Sequence, residues 1–277
     1  MNQKALIIGG DKRQMYIKKY IESKFGEVFH LYSPADIWVL DETEKYSHII
    51  LPVPLSKDRE TVYTDGGLCI RIKDVISRIG SCNTVFGSGF DSETLDKFED
   101  KGVQYHDFMK DKILKRANAY LTAQGVLRLM LDDTQDYIVG KKALIIGFGD
   151  VADTLAEKLK ALGLEVCISA RNKRKLSLAE NAGYKTMALA TVGSCTYLFD
   201  YIFGTVPVNL LGPDAIKLMK NDCTYIELAS APYTADASLF GVYNKRYICG
   251  AALPGRFLPM ASGRLLAEYI SAELQRG

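Results

Sequence analysis

The sequence predicts an α/β chain of two doubly wound domains, and three observations carry that prediction. The chain has 277 residues, longer than the ~100–200 that one core usually serves. The hexapeptide Lys4-Ala5-Leu6-Ile7-Ile8-Gly9 recurs letter for letter as Lys142-Ala143-Leu144-Ile145-Ile146-Gly147, almost half the chain later. Short apolar, β-branched runs alternate with amphipathic stretches through both halves, the rhythm of parallel strands joined by helices.

Each hexapeptide is too short for a helix, ends in glycine and leads into an amphipathic segment, as a buried parallel strand does on entering a βα unit. In the first half, Asp11 to Gly26 reads as a helix with Met15, Ile17, Tyr20, Ile21 and Phe25 apolar and Gly26 as its stop. Strands follow at Val28–Tyr32, His48–Val53, Thr84–Gly87 and Val103–Tyr105, with amphipathic stretches at Ile70–Ile79 and Glu93–Glu99. Asn118 to Leu131 reads as a bridging helix, closed by the turn residues Asp132, Asp133 and Thr134. The second half places strands at Lys142–Ile146, Glu165–Ser169, Lys185–Leu189, Tyr201–Val206, Cys223–Leu228 and Tyr247–Ala251. Helices fall at Val151–Leu162, Lys173–Asn181 and Pro213–Met219. Ala261 to Gln275 carries Leu265, Leu266, Tyr269, Ile270 and Leu274 on one helical face and is expected to pack back on the first domain. The expected division is residues 1–117 with 257–277, and residues 118–256 including the bridging helix 118–131. A ligand cleft is expected between the two.

Composition removes several function classes. Lys and Arg number 35 against 33 Asp and Glu, a net charge of +2, which leaves no excess field for nucleic acid or an anionic membrane. No apolar run reaches the ~20 residues that span a bilayer. The start MNQKALIIGG has too short an apolar core for a secretory signal, so a cytoplasmic protein is expected. Cys69, Cys82, Cys167, Cys195, Cys223 and Cys249 are scattered, with no C-x-x-C pair. Cys167, Cys223 and Cys249 lie in or beside apolar runs and read as small core residues. A reducing compartment follows, and no metal is expected. Of the three histidines, His30, His48 and His106, none lies in the second half, and His106 is the one worth testing as a catalyst.

The second hexapeptide runs directly into Gly147-Phe148-Gly149-Asp150-Val151-Ala152, a G-x-G-x-x-A loop. The first glycine permits the tight turn and the second admits a pyrophosphate to the backbone. Ala152 lets the helix lie close to the sheet, and the helix N-terminus donates N–H groups to the anion. Such a loop between strand and helix predicts a dinucleotide-binding Rossmann unit. The next strand ends in Ser169-Ala170-Arg171-Asn172-Lys173-Arg174-Lys175, without the carboxylate that holds the ribose hydroxyls of NAD. Ser169, Ala170, Arg171, Asn172 and Lys175 border the adenosine there, and Arg and Lys suit a 2′-phosphate, so NADP is predicted. Ligands of such sheets sit at the carboxyl ends of the strands, which adds Thr205, Val206 and Pro207 after the fourth strand and Ala229 and Ser230 after the fifth.

Together these segments resemble one family, the A subunits of bacterial dipicolinate synthase, the enzyme that makes the dipicolinic acid of spores. The resemblance rests on Gly9-Gly10-Asp11-Lys12-Arg13-Gln14, Ile50-Leu51-Pro52-Val53, Thr122-Ala123-Gln124-Gly125 and the Gly147–Ala152 loop. It continues through Ser169-Ala170-Arg171, Glu227-Leu228-Ala229-Ser230, Leu253-Pro254-Gly255 and Pro259-Met260-Ala261-Ser262-Gly263. It implies an NADP-dependent dehydrogenase of sporulation that oxidises dihydro- or hydroxytetrahydro-dipicolinate to dipicolinate. It also implies a homo-oligomer that takes a flavoprotein-like B subunit for its partner. Gly10, Asp11, Arg13, Pro52, Thr122, Gln124, Pro254 and Gly255 then become the substrate residues for a small cyclic dicarboxylate. Asp11, Arg13 and Thr122 are the candidates for catalysis, with Asp11 read either as proton acceptor or as helix cap.

The chain departs from that pattern where substrate would bind. Ser230-Ala231-Pro232-Tyr233-Thr234 stands where Ser-Arg-Pro-Gly-Gly is expected, and Ala251-Ala252-Leu253-Pro254-Gly255 is followed by Arg256. Two alternatives stand beside the main expectation. One is a catalytically silent dinucleotide-binding subunit or sensor; the other is a 2-hydroxyacid-dehydrogenase-like enzyme with another substrate.

Overall fold

The two copies of the repeated hexapeptide become the two organising strands of the protein. In the computed structural model, which describes residues 4–276, they are β1 (Lys4–Ile8) and β6 (Lys142–Ile146). After β1 come α1 (Lys12–Ile21), β2 (Glu27–Leu31), a 3-10 segment over Pro34–Lys45, β3 (His48–Ile50), α2 (Ile72–Arg78) and β4 (Thr84–Gly87). Then follow α3 (Ser92–Asp100), β5 (Gln104–Asp107) and the long α4 (Lys112–Asp133). After β6 come α5 (Asp150–Ala161), β7 (Glu165–Ala170), α6 (Lys173–Asn181), β8 (Lys185–Ala188), the short α7 (Val192–Cys195), β9 (Tyr201–Gly204) and α8 (Pro213–Leu218). The chain ends through β10 (Thr224–Glu227), α9 (Ala237–Val242), β11 (Arg246–Cys249), α10 (Leu253–Phe257) and α11 (Pro259–Arg276).

The strands form two all-parallel sheets, ordered β2-β1-β3-β4-β5 and β11-β10-β9-β6-β7-β8. Both are doubly wound, as predicted. The first reverses direction between β1 and β3, the second between β6 and β9, and in such sheets the crevice at the reversal is where ligands bind. The chain divides into two compact units, one ending at Asn118 and resuming at Pro254, the other Ala119–Leu253.

In the first unit the alternation of a strand buried on both faces is plain. Leu6, Ile8, Ile49 and Val85 pack with Val75 and Ile76 of α2 and Phe98 of α3. Ala5, Ile7, Ile50 and Phe86 face the other way, against Ile17 and Ile21 of α1 and Leu266, Ala267 and Ile270 of α11. Each large apolar side chain taken fully from water contributes about 1.5–3 kcal/mol. Thus α11 packs on the first unit, as its apolar face predicts. Gly263 makes the approach possible: a Cβ there would lie 2.6 Å from the Arg13 carbonyl oxygen. In the second unit Leu144, Ile146, Ile202 and Tyr225 pack with Ile216 and Phe240.

Three boundaries differ from the sequence expectation. Helix α1 begins at Lys12 and ends at Ile21, because Asp11 is its N-cap and Glu22 its C-cap. Strand β3 stops at Ile50; the Leu51 N–H still donates to the Phe86 carbonyl (2.7 Å), but Pro52 has no N–H to continue the ladder. Helix α4 starts six residues early, at Lys112. Cys167 and Cys223 are buried, whereas Cys249, at the end of edge strand β11, is exposed. No helix among the described residues is long and apolar enough to cross a membrane.

Candidate functional site

The loop after β6 is shaped by its first glycine and left open by its second. Gly147 has φ +113, and its N–H donates to the Ser169 carbonyl at the end of β7 (2.7 Å). A Cβ on Gly147 would clash with Thr205 Oγ1 and lie 2.8 Å from Val206 Cγ1, so the turn and the end of β9 fit only around glycine. Thr205 Oγ1 donates to the Ile146 carbonyl (2.8 Å), tying β9 to the base of the loop. Gly149 is the N-cap of α5 in extended geometry, with no side-chain cap and nothing within 4 Å of an added Cβ. The first N–H groups of α5, at Asp150, Val151 and Ala152, therefore begin a helix that no side chain caps. Ala152 is fully buried, which keeps α5 against the sheet; Phe148 is half-buried.

The residues expected around the adenosine lie at the end of β7. Ser169 is fully buried and its hydroxyl has no hydrogen-bond partner, while Ala170 is buried beside it. Asn172 caps α6 by accepting from the Arg174 N–H (2.8 Å). Arg171, Lys173, Arg174 and Lys175 are all exposed, and no carboxylate lies within the run. On the other side of the switch point, Thr205 and Val206 are half-buried and Pro207 is exposed. Ala229 is buried and Ser230 exposed, following β10. The loop, the basic run and both strand ends thus sit at the carboxyl edge of one sheet.

The sequence reading gives Glu227 no role of its own. It is 1% exposed at the end of β10 and accepts from the Tyr225 hydroxyl (2.8 Å) and the N–H groups of Ala229 (3.0 Å) and Ala235 (3.2 Å). Burial, reinforced by the Glu227 charge, pushes the Tyr225 phenol well above its ordinary pKa. A signal is present all the same: a carboxylate inside the apolar run Tyr225-Ile226-Glu227-Leu228 must find donors when the strand is buried.

In the first unit the equivalent loop is filled by its own side chain. Gly9 has φ +62 and donates to the Leu31 carbonyl at the end of β2 (2.8 Å), as Gly147 does to Ser169. Asp11 then caps α1: its Oδ1 accepts from the Arg13 N–H (3.0 Å), and Gln14 Oε1 accepts from the Asp11 N–H (2.9 Å), a complete capping box. The Arg13 guanidinium pairs with the same carboxylate through Nε (2.9 Å) and Nη2 (2.8 Å), and Nη2 also donates to the Val53 carbonyl. Both residues are buried, Asp11 at 6% and Arg13 at 5% exposure. Gly10, at φ +90, has no room for a Cβ beside the Gln14 side chain, and a Cβ on Gly255 would lie 2.6 Å from Asp11 Oδ2. Pro52 and Pro254 are buried next to Val53 and Gly255. Six of the expected substrate residues therefore gather at one buried ion pair. Thr122 and Gln124 lie on α4 within the other unit, half-buried and exposed respectively.

His106 is not placed as a strand-end catalyst. Its ring stacks on Phe86 (4.8 Å between centroids) and meets Tyr269 and Glu273 of α11, with Nδ1 3.5 Å from Glu273 Oε2. Burial lowers its pKa. Among the described residues no group of three or more His, Cys, Asp or Glu could hold a metal ion.

Known proteins share both the loop and the fold. The family described as D-isomer specific 2-hydroxyacid dehydrogenase, NAD binding domain, matches residues 112–254. The A subunit of dipicolinate synthase of Bacillus subtilis (strain 168) is 25% identical over 98% of this chain and 97% of its own length. The crystal structure of the dipicolinate synthase A subunit from Bacillus halodurans superposes with a TM-score of 0.84 at 20% identity, covering 99% of this chain and 98% of that one. The dipicolinate synthase A chain from Bacillus subtilis gives 0.83 at 20%, covering 100% and 97%. The structural likeness is one of fold. The resemblance drawn from the short motifs extends along nearly the whole chain.

Proposed function

We propose that this chain, which belongs to the D-isomer specific 2-hydroxyacid dehydrogenase NAD-binding family, is an oxidoreductase that uses NADP and produces dipicolinate from its dihydro or hydroxytetrahydro precursor. The observation that carries the reading is the uncapped start of α5 at Gly149, open at the switch point of the second sheet and followed by the acid-free run Arg171–Lys175. The residues fit a dinucleotide. Gly147, Gly149 and the α5 N–H groups would hold the pyrophosphate; Ser169, with its unpartnered buried hydroxyl, and Arg171, Asn172 and Lys175 would hold the phosphorylated ribose. Thr205, Val206, Pro207, Ala229 and Ser230 would border the nicotinamide end. When bound, NADP supplies the hydride acceptor.

The substrate side of the proposal rests on the first unit. Asp11 holds the Arg13 guanidinium through Nε and Nη2, which leaves Nη1 as the nitrogen for a substrate carboxylate. Formation of an aromatic ring favours hydride loss, so positioning matters more than a strong acid–base pair. Thr122 and Gln124 add polar contacts, and Pro52, Pro254 and Gly255 shape the surroundings of the pair. The name of the Bacillus subtilis relative supports the further proposal that the chain works with a second, flavoprotein-like B subunit. A cytoplasmic location and self-association belong to the same proposal.

The test is turnover: full-length chain with and without the B subunit, NADP, and the cyclic precursor, followed by the absorbance of dipicolinate and of reduced cofactor. Both signals rising together is the expected result. Silence with both subunits present, while NADPH still binds, would leave a dinucleotide-binding sensor instead. Family membership also supports a 2-hydroxy acid as substrate, and reduction of 2-oxo acids in the same cuvette separates that reading.

A further inference from the structure

The buried carboxylate of Glu227 has no part in holding cofactor or substrate, yet three donors converge on it. All three are neutral: a phenol and two backbone N–H groups. A buried carboxylate without a cation costs stability relative to an apolar residue of similar size. Core stability alone is therefore a poor reason for an acid at this position. Its partners point to another. Ala229 and Ala235 bracket the loop that follows β10, and both N–H groups converge on one side chain at the strand's end.

A second set of bonds ties the same loop to the neighbouring strand end. The Leu228 N–H donates to the Gly204 carbonyl (2.8 Å), Thr234 Oγ1 donates to the Val206 carbonyl (2.7 Å), and the Leu210 N–H donates to the Thr234 carbonyl (2.8 Å). Gly204 has no side chain because a Cβ there would clash with the Tyr225 hydroxyl and lie 2.8 Å from Thr234. The Tyr225 hydroxyl thus fills the space that glycine leaves and donates its hydrogen bond to Glu227. The two loops locked together, residues 205–211 and 228–235, carry Thr205, Val206, Pro207, Ala229 and Ser230.

We infer that Glu227 is a positioning residue for the nicotinamide half of the site, setting the course of the loop after β10 so that Ala229 and Ser230 meet the ring. This rests on the dinucleotide reading above and adds to it a residue that touches neither cofactor nor substrate. The arrangement gives the two halves of the cofactor separate supports. The adenosine phosphate end depends on β6, α5 and β7, whereas the nicotinamide end depends on the Glu227–Tyr225 pair.

That separation is what the experiment reads. Calorimetric titration of the full chain uses two probes: NADPH, and 2′-phospho-ADP-ribose, which lacks the nicotinamide. In Glu227→Gln an amide N–H₂ faces a donor that the carboxylate accepted, and NADPH affinity is expected to fall about tenfold while the fragment's stays within about twofold. Tyr225→Phe keeps both backbone bonds to Glu227 and is expected to weaken NADPH by only about threefold, again sparing the fragment. Unchanged fragment binding certifies that the second unit is folded in each variant. Equal loss of both ligands in Glu227→Gln, or loss of neither, overturns the inference while leaving the dinucleotide site standing. Failure of the unmodified chain to bind either probe overturns the dinucleotide reading itself, and the inference with it.

Discussion

The same six residues, Lys-Ala-Leu-Ile-Ile-Gly, build β1 and β6, and the loops they feed have opposite fates. Both end in a positive-φ glycine whose N–H binds the end of the neighbouring strand, to Leu31 in one case and Ser169 in the other. After Gly9 the N-cap of α1 is Asp11, whose carboxylate takes the place an external anion would occupy and is neutralised by Arg13. After Gly147 the N-cap of α5 is Gly149, which offers no side chain and open space. One residue at the cap decides whether a helix start serves its own fold or waits for a phosphate.

Four experiments break or sharpen that contrast, in descending order of effect. Asp11→Ala strands a buried guanidinium and removes a cap, so denaturant unfolding of the full chain should show a loss of about 3–5 kcal/mol. A loss under about 1 kcal/mol would mean the loop is not self-filled. Gly149→Asp copies the first loop's carboxylate onto the second. The extended backbone and open space accept it, so stability should hold or rise by up to about 1 kcal/mol through the new cap. NADPH affinity should fall by about a hundredfold as the carboxylate repels the pyrophosphate. Unchanged binding would place the dinucleotide elsewhere.

Arg171→Ala should weaken NADPH about tenfold and leave NADH unaffected, since only the 2′-phosphate meets that side chain. Equal effects on both cofactors would remove the basic run from the site. The last and smallest effect concerns acid. His30, His48 and His106 all belong to the first unit, and burial lowers the pKa of each below its ordinary 6.5. Between 6.5 and the lowered values the unfolded chain binds protons that the folded unit refuses. Their stabilisation is therefore complete above the ordinary value and is lost as pH falls through that window, by up to about 1 kcal/mol per histidine per pH unit. Hydrogen exchange should show β1–β5 amides opening before those of β6–β11 as pH falls. The reverse order would contradict it.

What the sequence makes legible follows from where burial leaves a period. The repeat, β4, β6 and α6 can be read at their observed ends because apolar runs and turn residues mark them. The first turn of α4 escapes the pattern because Lys112, Ile113, Lys115 and Arg116 are exposed and show no apolar face; Ile113 is 82% exposed. The 3-10 segment Pro34–Lys45 escapes it for a similar reason, with Ile37 and Trp38 about half exposed. At the site, glycine spacing and the absence of an acid after Ser169 are sequence properties, and they mark the second loop. The Asp11–Arg13 pair and the Glu227 network depend on side chains meeting across loops, which no local pattern encodes.

The contrast between the two loops is tested most directly by one titration, NADPH against NADH on the unmodified chain. A single saturable site per chain is expected, filled by NADPH at least about tenfold more tightly than by NADH, the margin a bidentate arginine gives a phosphate. Two sites per chain would mean that the first loop is not occupied by Asp11, and equal affinities would mean that Arg171–Lys175 does not read the cofactor.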